Sequence, residues 1–204
     1  KGEDMPVEVV SFLFSKENLR RGLQFQVIFQ CAPFLKRMKA ACMLNVETGY
    51  CRDFEDVLWG TDMKYRVLSE NKEKCLVFLY RTKELSAFLE KKEVRDFLRH
   101  YGYACQSIEA VLGRLSARVR SHACRNQSFP HEIGVFLDYP VEDVRCFIEQ
   151  GGKGEVMSGY WKVYHDPGKA RLIFQAYDKA RVSAVNEYLA GRTVREIADY
   201  RERN

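Results

Sequence analysis

The residues able to do chemistry are few, and their spacing decides what chemistry is open to them. Seven cysteines occur, at 31, 42, 51, 75, 105, 124 and 146, and no two have CxxC spacing. Structural zinc usually shows at least one close ligand pair, so no metal site is expected. An odd count without close pairs argues for reduced thiols rather than a disulfide framework. Cys31 is one candidate nucleophile. It directly precedes Ala32–Pro33, read as a helix start, with Lys36 and Arg37 nearby. Helix-end N–H groups would lower the pKa of a thiol so placed; the competing reading is a packed core thiol. Cys146 lies well past the first turn of its helix and reads as a buried structural thiol. His131 is the second catalytic candidate, a general base with an ordinary pKa of ~6.5. Its neighbour Glu132 does not make HExxH spacing, and the plainer reading is a capping or surface histidine beside a first-turn acid.

Phosphate chemistry has no support. Gly151, Gly152 and Gly154 lack both GxxxxGK[ST] and GxGxxG, and read as a helix stop and a turn. No GxSxG elbow occurs, and no spacing brings two carboxylates together as a glycosidase needs. The catalytic and cofactor assignments therefore stay open.

Binding has a better address. The stretch from Phe129 to Tyr164 holds two Pro-started apolar segments, a glycine-rich link and an aromatic strand. Tyr160, Trp161 and Tyr164 offer large aromatic area with polar tips, favoured in binding hot spots. Alternation along a strand puts Tyr160, Lys162 and Tyr164 on one face and Trp161 and Val163 on the other. His131, Tyr139, Tyr160, Trp161, Lys162 and Tyr164 are taken as lining one pocket or docking site. Against this stands a reading in which Trp161 and Val163 pack the core and the other face is solvated.

A second surface is basic. Arg114, Arg118 and Arg120 line one side of the helix read over 107–121, and with Arg125 beyond it they make a possible phosphate-binding face or a solvated one. EIGVFLDYPVEDVRCFI has the rhythm of a helix-turn-helix. Its second segment, however, exposes Glu142, Asp143, Glu149 and Gln150, the wrong charge for a DNA groove. Nucleic acid is therefore disfavoured as partner, and a small molecule or a protein is preferred.

The elements that must position these residues follow from local signals. Pro33 is read as starting a helix that runs toward Val46. Met63–Leu68 and Cys75–Tyr80 form a hairpin, and the continuous apolar run CLVFLY marks its second strand as central. Residues 83–101 give one or two helices with a break near Lys91, and Gly102 fits a C-cap. Pro130 opens a short helix carrying Ile133, Phe136 and Leu137; Pro140 restricts Tyr139 and ends it; a second helix then buries Val144, Phe147 and Ile148. Asp166 caps a helix begun by Pro167, and Thr193 with Glu196 makes a capping box. Val9–Phe14 is a short strand or helix opening, and residues 17–30 fit either type.

The chain has 204 residues, 46% of them hydrophobic, with a net charge of +5. That composition suits a globular protein, and the charge is weak evidence for an anionic partner. No apolar run approaches the ~20 residues of a membrane span, and no signal peptide is evident. A cytoplasmic, monomeric or weakly dimeric protein is expected.

CAPFLKRMKAACML, KCLVFLYRTKELSAFLEKKEVRDFLRHYGY, FPHEIGVFLDYPVEDVRCFIE and SGYWKVYHD together resemble an uncharacterised protein family found mainly in anaerobic, Clostridia-like bacteria. The resemblance covers roughly residues 26–177. Cys31, Ala32, Pro33 and Leu35 match its first motif, while Phe34, Lys36 and Arg37 depart from it. The family implies no reaction, and so no catalytic role for any residue. The expected fold is α/β or α+β, with a small mixed or antiparallel sheet covered by helices and helix-rich overall. Residues 1–204 are read as one compact domain with a helical C-terminal extension over 168–204. The function expected is a small-molecule or protein-binding module in anaerobic metabolism.

Overall fold

The computed structural model describes residues 19–51, 53–103, 107–125 and 128–199; the Val9–Phe14 segment lies outside them. It is a helix-rich α+β fold around a three-stranded antiparallel sheet. The strands are β1 (Ala41–Glu47), β2 (Met63–Glu70) and β3 (Lys74–Arg81), in the order β1-β3-β2. The expected hairpin is present, and its apolar second strand is central. Both faces of β3 are covered, which is why its sequence does not alternate. Cys75, Val77 and Leu79 enter one core layer, and Phe78 and Tyr80 the other.

The first layer holds α1 (Leu19–Leu35), a short α2 (Phe54–Val57), the end of α8 (Pro167–Leu189) and α9 (Val194–Ala198). Leu23, Val27, Ile28, Cys31, Phe34 and Leu35 of α1 are fully buried. The alternating LQFQVIFQ is helical because Leu23, Val27 and Cys31 recur at i, i+4 and meet the sheet. The second layer holds α3 (Thr82–Leu89), α4 (Lys92–Arg99), α5 (Ile108–Arg125), α6 (Ile133–Phe136) and α7 (Val141–Glu149). The break between α3 and α4 falls at Glu90–Lys91 as expected. Asp166 accepts from Lys169 N to cap α8, and the Thr193–Glu196 capping box forms at α9.

Three expectations are corrected. Pro33 does not begin a helix: it lies in the last turn of α1, and residues 41–47 are a strand. The helix ends because Arg37 takes a left-handed conformation, φ 57°. Buried Arg81 also donates to the carbonyls of Phe34, at 2.6 Å, and Leu35. These are terminal acceptors that a cation satisfies well. Beyond the turn, Cys42, Leu44 and Val46 alternate into the α1 layer and pair with β3. Next, the Tyr160–Tyr164 strand is shorter than expected. Only β5 (Lys162–Val163) is laddered, against β4 (Met157–Ser158), in a sheet separate from β3. Last, the thiols are not all free, since Cys51 and Cys75 form a disulfide. Their separation of 24 residues hides the pair from any local spacing rule. Among the described residues no helix is long and apolar enough to cross a membrane.

Candidate functional site

The site is built where α6, α7 and the β4–β5 hairpin converge on β1. The α6–α7 junction is fixed by two backbone devices. Asp138 adopts φ 63°, in the left-handed region that short polar side chains tolerate. Its Oδ2 accepts from Ala40 N at 2.8 Å, which ties the junction to the start of β1. Gly134 permits close approach: a Cβ there would lie 2.9 Å from Val144 Cγ2 and 3.1 Å from Tyr139 Cδ2.

Asp143 then fastens the hairpin to α7. It is a buried carboxylate, 2% exposed. Its Oδ2 accepts from Trp161 Nε1 at 2.8 Å, and its Oδ1 accepts from the backbone N–H groups of Tyr164 and His165, each at 2.9 Å. Burying a charge is costly unless it is hydrogen-bonded, and these three donors meet that demand. Trp161 stacks on Tyr139 with ring centroids 5.4 Å apart and meets Phe174 edge-on at 4.6 Å.

Between these parts lies a cavity of about 270 Å³. Met43 of β1, Ile133, Leu137, Val144, Phe147 and Trp161 make it apolar; His131, Tyr139, Asp143 and Lys162 bring polar groups to it. Burial pushes the His131 imidazole below its ordinary value of 6.5, so it is neutral at pH 7. The ring rests edge-on against Phe147 at 4.9 Å. Burial pushes the Tyr139 phenol up, so it stays protonated. Lys162 Nζ donates to Gly152 O at 2.6 Å and pairs with Glu155 at 2.9 Å. The Lys162 hydrogen bond in turn holds Glu155 below the usual carboxylate range. An ammonium has three donors, and two of them are taken by these partners.

Of the six residues taken from the sequence as binding, His131, Tyr139, Trp161 and Lys162 line this cavity. Tyr160 and Tyr164 do not. Tyr160 donates to Asp178 at 2.9 Å and packs on Phe174 and Tyr177, and burial raises its pKa. The hydroxyl of Tyr164 is buried with no hydrogen-bond partner. Asp143, read from the sequence as an exposed acid, is instead buried; its place in the first turn of α7, where an acid is ordinary, hid this. The available signal was its i, i+4 relation within α7 to Phe147, which places it on the face toward the core.

The nucleophile candidates change standing. Cys31 lies in the C-terminal half of α1, where the helix dipole opposes a thiolate, and is fully buried. It lies beside Cys42, whose thiol burial pushes well above its ordinary value. Cys146 is half-buried rather than buried, and slight desolvation together with nearby Glu149 and Glu142 raises its pKa. Among the described residues, those that line the cavity include no Ser, Thr or Cys to pair with His131.

The basic face is largely used internally. Arg114 donates to Tyr101 O, at 2.8 Å from Nη2, and lies against Gly102. Arg118 pairs with Glu132, a carboxylate only 1% exposed that also accepts from Tyr103 Oη at 3.1 Å. Arg120 is exposed, and the side chain of Arg125 lies outside the described residues.

A second cluster was invisible to spacing. Donor atoms of Cys51, Glu70 and Cys75 all lie within 4.8 Å of one another.

The model of a family described as a protein of unknown function (DUF3793) matches residues 27–198. No curated protein and no solved structure matches the chain.

Proposed function

The chain belongs to the DUF3793 family of proteins of unknown function, and from that premise we propose that it is a small-molecule-binding module. One observation carries the reading: an apolar cavity of about 270 Å³ whose lining includes His131 with a neutral imidazole, Tyr139 with a protonated phenol, and Lys162. Binding sites are mostly apolar, with a few polar groups that fix orientation. Because an apolar cavity of about 150 Å³ takes benzene, this one suits a ligand of about ten heavy atoms. The ligand we infer is an aromatic or aliphatic molecule bearing one acceptor, held by Lys162. A carboxylate or amide oxygen fills that role. The enzyme reading through Cys31 loses its support with the burial of that thiol. We retain with the proposal the cytoplasmic setting, the anaerobic bacterial host and the monomeric or weakly dimeric state that the sequence suggests.

The test is thermal unfolding of the full chain with a panel of about ten-atom aromatic and aliphatic acids, amides and alcohols. A ligand at a hundredfold its Kd stabilises the fold by about 2.7 kcal/mol. At least one panel member should raise the unfolding temperature of the wild type. Met43→Trp, which fills the cavity from β1, should abolish that rise without lowering the ligand-free unfolding temperature. No rise in the wild type, or an equal rise in Met43→Trp, would reject the reading.

A further inference from the structure

We propose that Cys51, Glu70 and Cys75, with the two sulfurs as thiols, form a binding site for a soft divalent cation of the zinc class. The site lies on the face of the sheet opposite the cavity, in the core layer that contains α1. Three elements supply it: the turn after β1, the end of β2 and the start of β3.

The backbone is arranged to bring these donors together. The turn carrying Cys51 is docked on the tip of the β2–β3 hairpin, where Thr48 N donates to Glu73 O at 3.0 Å and Thr48 Oγ1 to Asn71 O at 2.9 Å. Glu70 stands directly opposite Cys75 in the hairpin register, so both side chains leave the same face. This pairing depends on a β-bulge. Val67 faces Val77, but Ser69 rather than Leu68 faces Leu76, so one residue of β2 is extra. Without it, Ser69 would stand opposite Cys75 and Glu70 would be displaced. A bulge re-aims one side chain, and here the one re-aimed is a carboxylate.

The chemistry of the donor set selects the ligand. A sulfur and a carboxylate oxygen bound to one zinc ion lie about 2.3 and 2.0–2.2 Å from it, so two such donors stand no more than about 4.6 Å apart. The three donor atoms lie within 4.8 Å of one another while the sulfurs are joined, and opening the S–S bond frees the two sulfurs to separate to that spacing. Two thiolates and a carboxylate repel one another when no cation is present, and thiolate donors favour zinc over magnesium or calcium. Cys75 is fully buried against apolar neighbours, whereas Glu70 is exposed. The site is therefore dry on one side and open to solvent on the other, where water completes a four-coordinate shell. A disulfide alone makes no use of Glu70.

The Cys51–Cys75 disulfide is the oxidised, metal-free form of this site. A phosphine reductant opens it: phosphorus takes oxygen from water and becomes the phosphine oxide, the S–S bond accepts the two electrons, and each sulfur takes up a proton. The divalent cation then displaces both thiol protons as it binds.

The experiment uses the full chain, reduced with a water-soluble phosphine without oxygen and freed of reductant. Native mass spectrometry measures zinc uptake, and Co²⁺ substitution reports thiolate ligation through its sulfur-to-metal charge-transfer absorption. The wild type should retain one ion per chain and show that band. Glu70→Gln should weaken binding by at least the ~10–100-fold that even outer-shell losses cost. A Cys51→Ala/Cys75→Ala double variant, whose small apolar replacements suit the core and whose fold is checked by circular dichroism, should bind none at this site. Absence of zinc from the reduced wild type would overturn the proposal. So would equal uptake by the folded double variant, since the metal would then sit on other thiols. Unchanged affinity in Glu70→Gln would also remove the third ligand and with it the site as drawn.

Discussion

At the scale of single residues, Asp143 holds the candidate pocket together. Its carboxylate is an acceptor for three donors on the hairpin, one indole N–H and two backbone N–H groups. Asparagine has nearly the same shape but only one acceptor oxygen, so its NH₂ would face either the indole or the two amides. Asp143→Asn should therefore cost about 2–3 kcal/mol, the range for losing a charge-assisted bond and leaving a buried donor unmet. The midpoint of urea unfolding measures it; a loss below about 0.5 kcal/mol, the scale of an ordinary surface change, would show that the hairpin is held by packing alone. The sequence made Trp161 and Lys162 legible because aromatic and cationic residues in a short β-branched run are conspicuous. Asp143 was not, because its partners are 18 to 22 residues away. The cysteine pair at 51 and 75 escaped for the same reason.

At the scale of elements, the legible parts were those governed by local chemistry. Asp166 before Pro167, Thr193 with Glu196, and the stop at Gly151–Gly152, with φ of 60° and 74°, all depend on neighbours in the chain. The stretch from Pro33 to Val46 failed because its decisive partners are distant: Arg81 closes α1 from 46 to 47 residues away, and β3 recruits residues 41–47 as an edge strand. The α6–α7 pair lies between these cases. Its two prolines announce the break, but how closely the helices approach depends on Gly134. A methyl group there meets Val144 at 2.9 Å and Tyr139 at 3.1 Å, both of them side chains that line the cavity. Gly134→Ala gains up to about 1 kcal/mol in helix propensity and loses about 1–3 kcal/mol to overpacking. The balance should lower the unfolding temperature and weaken any ligand-induced stabilisation together. A variant more stable than wild type would mean that α6 can shift away without cost, and that the helix approach does not shape the pocket.

At the scale of the whole molecule, one strand serves two cores. Leu79 of β3 packs toward α1 with Val77, whereas Phe78 packs between the sheet and α3–α7. All three side chains are fully buried. Truncating Leu79 to Ala should cost about 2–5 kcal/mol and Phe78 to Ala about 3–5 kcal/mol, through lost transfer energy and the cavity left behind. Because both side chains leave the same strand, neither layer keeps its sheet when the other opens, so the two variants should melt as cooperatively as the wild type. Trp161 allows this to be seen. It is 8% exposed beside the pocket, while the other tryptophan, Trp59, is 81% exposed and contributes a nearly constant signal. Trp161 sits in a third cluster with Val163, Ala170 and Tyr177, which adjoins the Phe78 layer through Tyr139; its fluorescence reports a region distant from Leu79, and far-ultraviolet circular dichroism reports the helices of every layer. In Leu79→Ala the two signals should shift to the same lower denaturant midpoint. Were Trp161 to retain its wild-type midpoint while helicity fell, the α1 layer would be unfolding by itself, and the shared strand would not couple the two faces.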